Sequence, residues 1–141
     1  MSSLATSPSR VSSIVAWVLQ GLLAVGFLYF GITKYTGGAE IVASYDEIGA
    51  GQWLRYFTGA TEIIGGLALL YLPLAGLAAA ALAAQMVGAT ITQFVFVEDG
   101  NAVIPIIFGL LALVIAWLRR DRSIETLRRL HILPGSGRPA A

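Results

Sequence analysis

The chain has 141 residues, of which 57% are hydrophobic and 12% charged, with a net charge of +1. A soluble domain carries about 25% charged residues, and a chain this short cannot bury so much apolar surface in water. Cysteine is absent, which excludes disulfides, thiolate chemistry and cysteine-held metals, and His131 is the only histidine, a single imidazole that rarely holds a metal alone.

A bilayer core of about 30 Å takes roughly 20 apolar residues in a helix. Four stretches meet or nearly meet that need: 13–32, 53–72, 74–95 and 102–118. The predicted fold is all-α, an integral membrane four-helix bundle. A short arm, 1–12, precedes it and a basic tail, 119–141, follows. Trp17, Tyr71 and Trp117 mark one set of span ends, and Tyr29, Trp53 and Tyr56 the other, as interfacial aromatics do. The first apolar run is too long for a signal-peptide core of about 7–15 residues, and only Arg10 precedes it, so an uncleaved helix is expected.

Between the first two spans, Ile41, Val42, Tyr45 and Ile48 recur with a helical period, while Glu40, Asp46 and Glu47 fall on the other side. This predicts a short amphipathic helix at the interface, between the pairs Gly37-Gly38 and Gly49/Gly51. It either packs to close the end of the bundle or acts as a lid over a pocket. Pro73 separates the second and third spans; either it lies in an interfacial hairpin turn or it opens the third helix, where its missing N–H costs nothing. The tail from Arg119 to Leu133 aligns Ile124, Leu127 and Leu130, pairs Glu125 with Arg128 or Arg129, and is stopped by Pro134-Gly135. It rests on anionic lipid or docks a partner. Residues 135–141 read as a disordered tail.

Polar residues within the spans are few, and each needs a partner in lipid. The fourth span has only the threshold residues Asn101 and Pro105, and is expected to face lipid. In the second, Arg55, Gly59, Glu62 and Gly66 share one helical face. At the helical rise, Glu62 lies about 14 Å from Trp53, near the centre of a bilayer. The first span carries Gln20, Ala24, Phe27, Gly31 and Lys34 on one stripe, and the third carries Gln85, Gly88 and Thr92. Gln85 falls at about the depth of Glu62.

The candidate cluster is therefore Lys34, Arg55, Glu62, Gln85 and Thr92, with Tyr35 and Tyr56 able to lend hydroxyls. In one reading Glu62 is the buried anion of an ion pair with Arg55 or Lys34, hydrogen-bonded to Gln85, and it fixes helix register. In the other, the cluster forms a polar-bottomed pocket in the outer half of the membrane. That pocket takes a quinone or another small amphipathic molecule, or carries a proton.

These residues also carry a resemblance. Phe27-Leu-Tyr-Phe-Gly31-Ile-Thr-Lys34 resembles the end of the first helix of DoxX-like membrane proteins. The run from Gly51 to Leu70, with Trp53, Gly59, Glu62, Gly65 and Gly66, resembles their second, and Gly88-Ala-Thr90 their third. The likeness extends from Val11 to Leu118. It implies a four-helix membrane bundle associated with redox biology, with relatives that include the membrane subunit of a thiosulfate:quinone oxidoreductase. Lys34 and Glu62 occupy recurrent positions of the family. No self-contained catalytic or cofactor motif is visible.

The expected function is a subunit or quinone-associated partner of a membrane redox or stress-related complex. It would work beside a membrane or peripheral oxidoreductase, with no nucleic-acid partner. The alternatives are a binder or carrier of a small amphipathic molecule and a purely structural membrane subunit.

Topology follows from the basic residues. Arg119, Arg120, Arg122, Arg128, Arg129 and Arg138 join Arg10 on one side, against Lys34 and Arg55 on the other. By the positive-inside rule both termini are cytoplasmic, in a multi-pass protein of the inner (cytoplasmic) membrane. Reporter fusions should give cytoplasmic signals at both ends; a periplasmic C-terminal signal would overturn this topology.

Overall fold

The computed structural model describes residues 10–98 and 100–132. They form six helices and no strand: α1 (Arg10–Thr36), α2 (Ala39–Ile48), α3 (Trp53–Ala68), α4 (Leu72–Val95), α5 (Val103–Leu118) and α6 (Arg120–Arg129). By length and composition, α1 and α4 are apolar enough to cross a membrane, with mean hydropathy 2.0 and 1.7. A third crossing forms if α5 and α6, bent by 67° at their junction, count as one. α3 and α5 each have 16 residues, about 24 Å of helix.

The helix limits lie close to the apolar stretches read from sequence, with two differences. α1 runs on past Ile32 to Thr36, so Lys34 is still helical and its direction is set by the helix. α3 stops at Ala68, and Leu69–Leu70 form a turn before α4. Pro73 sits in the first turn of α4, the second of the two placements open to it. The residues proposed for a disordered tail, 135–141, lie outside the described ones, as does most of the N-terminal arm.

Helices α1 and α3 pack closely along their length, and so do α4 and α5; α3 against α4 and α1 against α5 join the two pairs. The buried apolar core gathers Leu23, Ala24 and Phe27 of α1, Leu69, Leu82, Ala83 and Met86, and Ala112 and Ile115 of α5. Phe27 and Met86 mark its limit towards the Lys34 end. The buried apolar core therefore occupies the part of the molecule nearer Arg119.

Small residues let α1 and α3 meet. A Cβ on Gly31 would lie 2.7 Å from the Ile63 side chain and 2.9 Å from the Gly59 carbonyl oxygen. A Cβ on Gly59 would lie 2.9 Å from the Tyr35 ring. This is backbone-to-backbone packing of the kind small residues permit between membrane helices. Dispersion replaces the hydrophobic effect as the attraction between helices in lipid.

At the Arg119 end, Gln20 and Arg119 close the structure. Gln20 Nε2 donates to the Leu69 carbonyl (2.6 Å), a free group at the end of α3, and Arg119 Nε donates to Gln20 Oε1 (2.8 Å). The Arg119 guanidinium lies 5.5 Å from the Trp17 ring centre. α6 folds back against the start of α4, where the Thr126 hydroxyl donates to the Pro73 carbonyl (2.6 Å). Glu125 pairs with Arg129 at 3.0 Å, one of the two partners expected for it.

Gly31→Ala should lower stability by about 1–3 kcal/mol through overpacking. Gly21→Ala, where a Cβ meets nothing within 4 Å, should be neutral or stabilising. Thermal unfolding of the detergent-solubilised variants, read side by side, checks both.

Candidate functional site

At the Lys34 end the helices surround a cavity of about 650 Å³. Every helix except α6 contributes to its wall. Phe27 and Phe30 of α1 meet Phe108 of α5 edge-to-face, with ring centres 5.2 and 5.5 Å apart, and form an apolar side. Lys34, Glu62 and Gln85, from three helices, form a polar floor.

The floor is tightly bonded. Lys34 Nζ lies 2.5 Å from Glu62 Oε2. Gln85 Nε2 donates to the other carboxylate oxygen, Oε1, at 3.2 Å. The Thr61 hydroxyl in turn donates to Gln85 Oε1 at 2.5 Å. Glu62 is almost fully buried, its side chain 4% exposed, against 16% for Lys34. A buried carboxylate needs both a counter-charge and hydrogen bonds to offset its lost hydration. Helical spacing supplies them: Arg55, Gly59, Glu62 and Gly66 are the buried residues of α3, the stripe read from sequence.

Of the five candidate residues, Lys34, Glu62, Gln85 and Thr92 line the cavity. Thr92 donates to the Gly88 carbonyl in its own helix (2.8 Å) and shows its side chain along the α4 wall. Arg55 does not line the cavity and does not pair with Glu62. It is buried behind the wall, where its Nη1 donates to the Lys34 carbonyl. Its Nε donates to Gln52 Oε1 (2.6 Å) and its Nη2 to the Tyr56 hydroxyl (2.9 Å). The Lys34 carbonyl lies at the negative end of α1, which explains why a guanidinium settles there. The Tyr35 and Tyr56 hydroxyls are likewise away from the cavity; Tyr35 donates to the Tyr56 carbonyl at 2.6 Å. Of the two partners left open for Glu62, the structure has Lys34.

Sequence reasoning missed the polar role of Tyr45. The α2 face predicted from periodicity does turn inward, with Ile41, Tyr45 and Ile48 lining the cavity. The ring of Tyr45 fits the apolar period, yet its hydroxyl is 2.9 Å from that of Thr58 on α3. Burial pushes the Tyr45 phenol above its ordinary value of 10.0, with the Thr58 bond acting in the opposite sense. Its phenol on an otherwise apolar stripe was the available signal. No residue of α2 is fully buried, so this helix is a cover and not a core element. Gly38 precedes it, and Gly49 and Gly51 follow with φ of 76° and 94°, a backbone region that favours glycine. Among the described residues no group of acidic or histidine side chains is placed to hold a metal.

The model of the DoxX-like family matches residues 18–116. The chain belongs to the DoxX-like family. The match contains all the cavity-lining residues named above and ends before Arg119. No curated protein and no solved structure gives a significant match. With its apolar helices, this is a DoxX-like membrane protein.

Replacing Lys34 by Met leaves the Glu62 carboxylate without its cation, and should cost about 3–5 kcal/mol of stability. The double variant Lys34→Met/Glu62→Met removes both charges, and its cost should fall below the sum of the single costs. Unfolding of all three variants in detergent measures the coupling; strictly additive losses would mean that the pair contributes no interaction energy.

Proposed function

We propose that this DoxX-like protein binds a small amphipathic molecule in its intramembrane cavity. The setting is a four-span bundle of α1, α3, α4 and α5 in the inner membrane, with both termini cytoplasmic and the cavity in the outer half. The observation that carries the reading is the cavity itself. Its volume of about 650 Å³ falls within the roughly 300–1,000 Å³ of small-molecule sites. Aromatic and aliphatic side chains line it together with one charged pair, hydroxyls and amides, a mixture that suits an amphipathic ligand.

The ion pair does not fill the space. Lys34 is drawn onto Glu62 and becomes part of the floor. An ammonium group has three N–H donors, and Glu62 takes one of them, so Lys34 keeps donors for a ligand acceptor. The structural and the ligand-binding readings of Glu62 are thus compatible: the same pair holds register and shapes a site.

A quinone is the ligand that the family resemblance favours, and it fits. Its carbonyls would accept hydrogen bonds from the polar floor, and Phe27, Phe30 and Phe108 would offer apolar surface to its ring and tail. When bound it would supply two-electron redox chemistry; Lys34, Gln85 and Thr92 would hold and orient its head. This would make the protein the quinone-associated subunit of a membrane redox or stress-related complex, with an oxidoreductase as partner.

A short-tailed benzoquinone should raise the unfolding temperature of the purified protein. Gly88→Leu should abolish that shift: Gly88 lines the cavity and a Cβ there meets nothing within 4 Å, so the larger side chain fills the space without a clash. An unchanged shift in Gly88→Leu would place the ligand elsewhere, and no shift in either protein would favour a purely structural subunit.

A further inference from the structure

Resting on that binding reading, the charge arrangement of the cavity identifies the ligand more narrowly. Among the described residues that line it, Lys34 and Glu62 are the only charged ones. Their charges cancel across 2.5 Å. Both carboxylate oxygens are taken, Oε2 by Lys34 and Oε1 by Gln85. The other polar groups of the lining are hydroxyls and amides, among them Ser44, Thr58, Thr92, Gln93 and Asn101. A charged head group entering this space would leave water and find no free counter-charge, which is costly in an apolar setting. A neutral carbonyl or hydroxyl would lose little and would find donors on Lys34 and acceptors on the hydroxyls.

Arg55 is a further cation, bonded to the Lys34 carbonyl, and its position matters. Buried outside the lining, it gives N–H groups to the Lys34 carbonyl, Gln52 and Tyr56, and lies over the Tyr56 ring at 4.3 Å. It is satisfied there by the negative end of α1 and offers no group to the cavity.

We infer that the cavity selects electrically neutral amphiphiles with a carbonyl or hydroxyl head, and rejects carboxylate and ammonium amphiphiles of the same length. The self-compensated Lys34–Glu62 pair is the selecting element. Removing the negative member should therefore change the selectivity and not simply weaken binding. In Glu62→Gln, Lys34 keeps its charge without a partner and becomes a carboxylate receptor.

The test uses three probes with the same ten-carbon tail: decanol, decanoate and decyltrimethylammonium. Each is presented to the full-length protein in nanodiscs at equal concentration, and occupancy is read by native mass spectrometry. Wild type should favour decanol by about tenfold or more over each ion, the scale set by a desolvated, uncompensated charge. Glu62→Gln should move the decanoate-to-decanol ratio by at least about tenfold towards decanoate. A wild type that prefers decanoate would show that the field of Arg55 dominates and would overturn the inference. So would wild-type indifference to head-group charge, although binding itself would then stand. Absence of binding by all three probes would sink the binding reading along with it. If Glu62→Gln fails to fold, the wild-type ranking still decides, and Lys34→Met/Glu62→Met, which is neutral throughout, should keep the preference for decanol. Loss of that preference in a folded double variant would count against a charge-based selection.

Discussion

The contact between Lys34 and Glu62 constrains the rest of this structure. A carboxylate at the middle of α3 can be kept in an apolar environment only with a cation and hydrogen-bond donors beside it. That requirement reaches into three helices. α1 must continue to Thr36, so that Lys34 is held by helix and not by a loop. Gly31 and Gly59 must be small, so that the backbones come close enough for the ammonium to reach the carboxylate. α4 must present Gln85 at the same depth, which fixes its register against α3. The pair is a poor source of net stability when set against an apolar filling of the same space.

The second clamp, at the opposite end, has a different chemistry. Gln20 bridges a free main-chain carbonyl of Leu69 and the Arg119 guanidinium, and aromatic and aliphatic side chains close around it. Between the two clamps the interior changes character. Leu23, Leu69, Leu82 and Ile115 are fully buried in the part nearer Arg119, whereas a cavity lies towards Lys34. The interior is filled where the aliphatic residues pack and hollow where the phenylalanines and the polar floor line the same cavity.

Much of this was legible in the sequence because helical spacing is a strong geometric rule. The stripes of Gln20, Ala24, Phe27 and Gly31 and of Arg55, Gly59, Glu62 and Gly66 emerge as buried faces. The apolar face of α2 turns inward as its period requires. Periodicity says which side of a helix is hidden, but not what lies opposite. Rotation and axial shift between helices settle that, and no local pattern encodes them. Arg55 shares a face with Glu62, yet the end of α1 brings a carbonyl to it first. Gln20 and Arg119 are 99 residues apart, and nothing short of the assembled bundle pairs them. The Tyr45 ring fits the apolar stripe of α2, and only the assembled fold brings Thr58 to its hydroxyl.

The cover over the cavity has a kinetic consequence. α2 buries none of its residues, hangs between glycines, and is fastened to α3 mainly through the Tyr45–Thr58 hydroxyl contact and Gln52, which reaches back to the Val42 carbonyl and Asp46. Local opening is cheapest where apolar contacts are fewest. A molecule bound below α2, as proposed, would then be retained for a time set by how often this helix lifts. The strength of the floor's grip would govern affinity, while the rate of exchange would be set by a ten-residue segment that scarcely belongs to the packed core.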